Sequence, residues 1–262
     1  MMWITKKSKI TYFCVLVPMF LITTFYGVVK QNSSIWLLSL IFFFVFSYAI
    51  RKLAYNELAL VNKKLTDDLE PMEYVRFFEY ATNNKRTDDM SFQMKSALVT
   101  GYLAIGDFAK AELLFYELRG YLNIPASAEK HINPLSACIN YLIYTGRLNE
   151  TYPLLMQLFE CNKSLSDKFK HKDEAYNVLR IKYLCASNQL DNIEDFNNVY
   201  DKASTLYNKL QLKYFLGCYF EMNNRYTEAI EQFEYVSANG KDLYIANMAN
   251  MAKDNYKGKQ SE

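Results

Sequence analysis

The chain begins with two long uncharged stretches, and these restrict its fold more than any other feature of the sequence. Residues 10–29, ITYFCVLVPMFLITTFYGVV, contain no charged side chain, and residues 31–50 contain none either. A helix of about 20 residues is roughly 30 Å long, which matches the hydrocarbon core of a bilayer. We therefore expect a transmembrane hairpin with helices at 10–29 and 34–50 and a short external turn at 30–33.

Basic residues beside these stretches predict the orientation of the hairpin. Three lysines precede the first stretch, and Arg51 and Lys52 follow the second, whereas the turn carries Lys30 alone. Positively charged flanks stay in the cytoplasm. We therefore expect a cell-membrane protein with two spans in the lipid bilayer and both termini in the cytoplasm.

A cleaved signal peptide is the alternative interpretation of the first stretch. Its lysine-rich start is typical of such signals, but its apolar core of 20 residues is long for them, and no small-x-small cleavage pattern follows. The second apolar stretch, which comes directly afterwards, favours the hairpin.

The charge distribution argues against a nucleic-acid partner. The chain has 30 basic and 28 acidic residues, and its first 52 residues hold six of the basic and none of the acidic ones. The remainder therefore carries 24 basic and 28 acidic residues. Proteins that bind a phosphate backbone gather lysine and arginine on one face, so we expect no nucleic-acid partner.

Helical spacing continues beyond the second stretch. Apolar residues recur every three or four positions from Leu53 to Leu65, which predicts that the helix extends out of the membrane. The sequence DDLEP, which ends at Pro71, then interrupts it, because proline is favoured in the first turn of a new helix. We expect a juxtamembrane helix and linker over 51–69 and a new helix to about Ala81.

Two segments of the remaining chain share one pattern of residues at an offset of 118 positions. ALVTGYLAIGDFAKAELLFYEL starts at Ala97, and YFLGCYFEMNNRYTEAIEQFEYV starts at Tyr214. Small residues at Ala111 and Ala229 let two helices approach closely, and Gly106 suits a turn that needs left-handed backbone. The matched residues are Leu98 and Leu216, Tyr102 and Phe220, Gly106 and Asn224, Phe108 and Tyr226, Ala111 and Ala229, and Phe115 and Phe233.

Two weaker copies lie between these segments. ACINYLIYTGRLNETYPLL keeps Gly146 in the turn but has Thr151 at the small position, and VLRIKYLCASNQLDNIEDF fits loosely with Asn188 in the turn. The pattern resembles the tetratricopeptide repeat (TPR), a helix-turn-helix unit of about 34 residues. Successive turns here are 40, 42 and 36 residues apart, so longer loops are expected near Asn123 and around residues 163–172.

The resemblance implies an all-α fold in which the membrane hairpin is followed by a TPR-like α-solenoid of about four helical hairpins with capping helices. The repeat domain would cover 70–257, with a cytoplasmic tail at 1–9 and a second tail at 258–262. The helix that starts at Pro71 and a closing helix at 243–256 would act as the caps. A packed helical array without true repeats is the alternative.

TPR arrays generally bind peptides or protein segments in a concave groove, so the resemblance implies a protein or peptide partner. The residues that face the groove are inferred from the helix face opposite Leu98 and Tyr102. Their amides and hydroxyls can donate to and accept from an extended peptide backbone, although a merely solvated helix face is the alternative interpretation. The predicted groove residues are Gln93, Ser96, Thr100, Asn133, Ser136, Asn140, Asn177, Gln211 and Tyr214.

The sequence contains no recognisable catalytic, cofactor or metal motif. His131 and His171 are isolated and are predicted to be loop or cap residues, and the five cysteines show no CxxC spacing. Glycine-rich phosphate loops and the GxSxG nucleophile elbow are absent from the sequence. We therefore expect no enzymatic activity, no cofactor and no metal, with the cysteines packed in helix cores.

Together these features predict a membrane-tethered scaffold or adaptor that concentrates a protein partner at the inner face of the membrane. Two other functions are open: a peptide-sensing or regulatory membrane protein, and a non-catalytic subunit of a membrane assembly or secretion complex. The low-glycine, Lys/Asn/Tyr-rich composition resembles that of membrane proteins from low-GC Gram-positive bacteria.

Overall fold

The computed structural model of the chain describes residues 14–15, 17–30, 33–83, 88–165 and 171–259. Twelve α-helices follow one another along this part of the chain, and it contains no β-strand, so the all-α prediction is confirmed for it. In chain order the helices are α1 (Val17–Val29), α2 (Ser33–Thr66), α3 (Pro71–Asn83), α4 (Asp88–Ile105), α5 (Phe108–Leu122), α6 (Ala128–Tyr144), α7 (Leu148–Lys163), α8 (His171–Ala186), α9 (Ile193–Lys202), α10 (Leu206–Met222), α11 (Tyr226–Asn239) and α12 (Tyr244–Lys259).

The chain divides into two compact units, Met1–Lys63 and Lys64–Glu262. The boundary lies within α2, which continues without a break as far as Thr66, as the apolar spacing predicted. Among the described residues, α2 is the one helix that is long and apolar enough to cross a membrane. The helix α1 is also apolar but has 13 residues, and part of the predicted span 10–29 lies outside the described residues.

Within the first unit, α1 and the first half of α2 pack against each other in opposite directions. The hydroxyl oxygens of Thr23 and Ser39 are 2.8 Å apart. A Cβ atom added at Gly27 would lie 3.2 Å from the backbone nitrogen of Trp36, so glycine permits the close approach of the two backbones. Because the paired positions rise along one helix as they fall along the other, the two helices are antiparallel.

The helices of the second unit pack in a regular order. Each of α4, α6, α8 and α10 packs against the next of this set, and these four form the inner helices. Each of α5, α7, α9 and α11 packs against the inner helix that precedes it in the chain, and these four are called the outer helices. The last helix, α12, packs against α11 and also reaches α4 and α10. The second unit is therefore built from consecutive helical pairs whose first helices are neighbours.

The turns inside the four helical pairs share one backbone geometry. Gly106, Gly146, Asn188 and Asn224 have positive φ angles of 80°, 70°, 56° and 58°. In each turn, the residue directly after the left-handed one donates its backbone N–H to the carbonyl oxygen five residues earlier in the chain, at 2.8 to 2.9 Å. This bond closes a helix C-terminus in the Schellman motif, which requires a left-handed residue at the turn position. The turn positions predicted from the sequence are confirmed.

The third helical pair departs from this regularity after its turn. The second helix of the other pairs begins two residues after the left-handed residue, at Phe108, Leu148 and Tyr226. The helix α9 begins only at Ile193, where Asn192 accepts a hydrogen bond from the Glu194 backbone N–H at 2.8 Å as the N-cap. This helix has ten residues, which agrees with the loose sequence fit of the third copy.

Small side chains lie at the predicted contact position within three of the pairs. Ala111 and Ala229 are fully buried, and Thr151, which replaces alanine in the second pair, is fully buried as well. The Thr151 hydroxyl donates to the Arg147 carbonyl at 3.1 Å, so its polar group is satisfied within its own helix. A threonine therefore occupies this position without leaving an unpaired buried hydroxyl.

The two ends of the second unit contact each other. The Lys241 ammonium donates to the Asp68 backbone carbonyl at 2.7 Å, across 173 positions of sequence. The Tyr244 ring lies over the first turn, where a Cβ atom added at Gly106 would be 2.5 Å from the ring, and it meets Phe108 edge-on at 5.1 Å. The closing helix thus packs on the first helical pair as well as on the last.

Candidate functional site

All nine predicted groove residues lie on the four inner helices, which are neighbours in space. The structure therefore brings this polar row onto one set of packed helices. The row consists of Gln93, Ser96 and Thr100 on α4, Asn133, Ser136 and Asn140 on α6, Asn177 on α8, and Gln211 and Tyr214 on α10.

The first part of the row is a hydrogen-bonded pair of amides near the surface. The Asn133 amide nitrogen donates to the Gln93 side-chain oxygen at 2.7 Å, and the Gln93 amide nitrogen donates to the Lys130 carbonyl at 2.8 Å. Asn133 is exposed and Gln93 is half-buried. This pair joins α4 to α6 and still presents polar atoms to solvent.

Two hydroxyls of α4 are satisfied by their own helix. Ser96 donates to the Phe92 carbonyl at 2.7 Å, and Thr100 donates to the Ser96 carbonyl at 3.2 Å. Ser96 is 3% exposed, so it belongs to the interior and cannot contact a ligand in this conformation. The Ser136 hydroxyl of α6 is enclosed and has no hydrogen-bond partner among the described residues.

A buried lysine forms the centre of the second part of the row. Lys182 of α8 is fully buried, and its ammonium donates to the side-chain oxygens of Asn140 on α6 and Gln211 on α10, the latter at 2.8 Å. The same nitrogen lies 5.1 Å from the Tyr144 ring centroid and 5.3 Å from that of Phe215. Two amide oxygens and two aromatic faces thus surround the amine. These contacts favour the cation, whereas loss of solvent disfavours it, and the loss of solvent is the larger effect.

Burial strongly lowers the pKa of the Lys182 amine. Loss of solvent lowers the pKa of Lys182 from 10.5 to about 7, because the charged form is the one that water stabilises more. Burial is the dominant cause of this shift, and the hydrogen-bond partners of the amine among the described residues are the neutral amides of Asn140 and Gln211. Near neutral pH the amine therefore exchanges between its charged and neutral forms.

The Tyr144 ring faces Lys182, and further tyrosines lie on α3 and α10. Burial raises the pKa values of Tyr74, Tyr144, Tyr207 and Tyr214 well above 10, so their hydroxyls keep their protons at neutral pH. The Tyr144 ring meets Phe215 edge-on at 5.4 Å. The two rings that face the Lys182 nitrogen, those of Tyr144 and Phe215, are therefore uncharged at neutral pH.

The burial of Gln211 differs from the open groove that the sequence predicted. This residue is 3% exposed, and its oxygen is already bonded to Lys182. Helical spacing places a residue on one face of a helix, but the close packing of α8 against α6 and α10 decides whether that face meets solvent. Binding of a ligand along the remaining row stays a prediction.

Sequence reasoning missed Lys182, although a signal for its burial was present. Lys182 follows Val178 by four positions and precedes Cys185 by three, and both of these residues are buried. A lysine at this spacing shares the apolar face of its helix. Lysine side chains are charged and are seldom fully buried, so the burial of Lys182 was not predicted.

The groups that most often perform chemistry are dispersed. His131 was predicted to be a loop or cap residue, but it is buried within α6, with the Tyr121 ring edge-on at 5.5 Å. All five cysteines are free, with Cys138 and Cys185 buried in helix cores as predicted. In the part of the chain that the structure describes, no group of three histidine, cysteine or acidic side chains is placed to hold a metal ion.

Comparison of the chain with protein-family models, with curated proteins and with solved structures gives no match in any of the three. The part of the chain that the structure describes is all-helical, and within it one helix is long and apolar enough to cross a membrane.

Proposed function

We propose that this protein is a membrane-anchored adaptor in which a TPR-like α-solenoid binds a protein or peptide partner at the cytoplasmic face of the membrane. The observation that carries this proposal is the polar row on successive inner helices of a domain that follows directly on a long apolar helix. Amides such as Asn133 and Gln93 supply both donors and acceptors for a peptide backbone. The adaptor performs no catalysis and needs no cofactor or metal.

The proposed anchor is a hairpin of two spans. Its support is the antiparallel contact of α1 and α2, where Thr23 and Thr24 both lie within hydrogen-bond distance of the Ser39 hydroxyl, at 2.8 and 3.2 Å. In lipid, helices associate through small residues and interhelical hydrogen bonds, and Gly27 adds a close backbone approach. Large apolar side chains such as Phe25 and Phe44 are exposed and would face the lipid.

The orientation of the hairpin predicts a specific labelling pattern. In a chain whose native cysteines are changed to alanine, Gln31→Cys should react with a membrane-impermeant maleimide in intact cells, because the sequence predicts an external turn at 30–33. Ser261→Cys should react only after the cells are permeabilised. Labelling of Ser261→Cys in intact cells, without labelling of Gln31→Cys, would contradict the arrangement of two spans with both termini inside.

If the partner binds to the polar row on the inner helices, substitutions in this row should weaken binding and matched substitutions elsewhere should not. The double variant Gln93→Ala/Asn133→Ala removes an accessible amide pair, so recovery of the partner by cross-linking and affinity purification from native membranes should fall about tenfold or more. The matched control is Asn149→Ala/Gln157→Ala, which removes an exposed asparagine and glutamine from the outer helix α7. The control should retain the partner, as measured by quantitative mass spectrometry.

If both double variants recover the same proteins in the same amounts, the inner row is not the binding surface. The outer helices would then be the next surface to test, since Leu113 and Tyr116 of α5 and Tyr152 of α7 are exposed apolar residues. Because all four substituted side chains of these variants are at least partly exposed, we expect changes in stability within about 1 kcal/mol.

A peptide-sensing or regulatory membrane protein is the second candidate function, and the contact between the two ends of the second unit favours it. Tyr244 and Lys241 hold the end of the second unit to the first helical pair and to Asp68, which lies just after α2, so a change in helix packing caused by a ligand would reach the end of α2. A sensor should therefore show altered hydrogen exchange along α2 when its ligand is present, whereas a passive scaffold should not.

A further inference from the structure

One ionisable side chain lies where three inner helices meet. Lys182 of α8 is fully buried between α6 and α10, and it is bonded to one amide side chain from each, Asn140 and Gln211. These two bonds connect all three helices through a single nitrogen atom. A change in the protonation of the Lys182 amine therefore affects the packing of all three helices at once.

The surroundings of this amine contain no compensating negative charge at neutral pH. Tyr144 faces it from α6, and Tyr207 and Cys218 of α10 lie near Tyr144, while Cys185 belongs to α8 itself. Burial raises the pKa of all four groups, to about 12 for the two thiols, so they stay neutral. The helices α7 and α9 also pack against α8, but the side chains that bond to the amine among the described residues come from α6 and α10, and both are neutral amides.

We propose that the protonation state of Lys182 controls the packing of three inner helices. The neutral amine keeps α8 packed against α6 and α10, and protonation weakens this packing and opens the polar row on these helices to solvent. The proposal concerns the conformational equilibrium of the second unit and does not depend on which partner, if any, binds there. It makes the accessibility of the row a function of pH near neutrality.

The direction of the effect follows from linkage. The pKa of Lys182 is about 7 in the closed form, against 10.5 for a solvated lysine. Between these two values an open form binds more protons than the closed form, so lowering the pH favours opening. Below about pH 7 the closed form also becomes protonated and the dependence levels off. From pH 8 to pH 6 the opening equilibrium should increase about tenfold.

Hydrogen exchange of the full chain in detergent micelles tests this proposal. After correction for intrinsic exchange rates, amides of α6, α8 and α10 should be protected about tenfold less at pH 6 than at pH 8. The variant Lys182→Met keeps the length and the apolar stem but cannot titrate, so its protection should be equal at both pH values. The control variant Lys209→Met changes a half-exposed lysine of α10 and should respond like the unaltered chain. Equal protection of the unaltered chain at both pH values would overturn the proposal.

A second measurement follows the lysine side chains directly. In the unaltered chain with ¹³C-labelled lysine, one side-chain Cε resonance should titrate with a midpoint near pH 7, and its disappearance in Lys182→Met assigns it. A chain in which every described lysine titrates above pH 9 would overturn the proposal, even if Lys182→Met failed to fold.

Discussion

Replacing Phe115 with alanine is expected to lower the free energy of unfolding of the second unit by about 3–5 kcal/mol. The Phe115 side chain is 1% exposed and fills the space between the first and second helical pairs. Its ring stacks on Tyr141 of α6 with centroids 4.6 Å apart, and the Arg147 guanidinium lies 5.2 Å from the ring centroid. Removing the ring leaves a cavity that two rigid helices cannot close, so both the burial and the contacts are lost.

The neighbouring residue provides the control for this prediction. Tyr116 is also aromatic and lies on the same helix, but it is 56% exposed. Tyr116→Ala should therefore cost about 1 kcal/mol or less. Urea unfolding of the full chain in detergent, followed by circular dichroism, compares the two variants. Similar losses for both substitutions would mean that the first and second pairs do not pack through Phe115.

Replacing Gly106 with alanine should destabilise the second unit by about 2–5 kcal/mol, clearly more than the same change at Gly146. Both glycines close a helix with a positive φ angle, 80° and 70°, so each alanine costs about 1–2 kcal/mol in backbone strain. At Gly146 an added Cβ meets no atom within 4 Å, whereas at Gly106 it would lie 2.5 Å from Tyr244. The additional cost at Gly106, about 1–3 kcal/mol, reports overpacking against the closing helix.

A double-mutant cycle separates the strain from the contact. In a Tyr244→Ala background the cost of Gly106→Ala should fall to that of Gly146→Ala, because only the backbone strain is left. Thermal or urea unfolding of the four chains supplies the coupling energy. If Gly106→Ala and Gly146→Ala cost the same in the unaltered background, the two ends of the second unit do not meet in solution.

Features that depend on a few neighbouring residues were predictable from the sequence. Glycine and asparagine adopt left-handed backbone at low cost, so the turns at Gly106, Gly146, Asn188 and Asn224 followed from residue type and helical spacing. The break before Pro71 and the uninterrupted helix α2 also depend on local backbone preferences.

The nine predicted groove residues all lie on the inner helices, but their exposure was not predictable from the sequence. Asn133 remains at the surface, whereas Ser96 and Gln211 are enclosed, although helical spacing treats all three alike. The difference depends on how closely neighbouring inner helices approach, and this is decided by side chains from several helices together.

The sequence by itself determined the helical class and the positions of the four turns, because each depends on interactions within about one or two helical turns. Only the tertiary structure decided that Tyr244 packs on Gly106 and that Lys182 lies buried between Asn140 and Gln211. Small rotations between successive helical pairs add along the chain, and their sum determines whether the two ends meet and which polar groups lose their solvent.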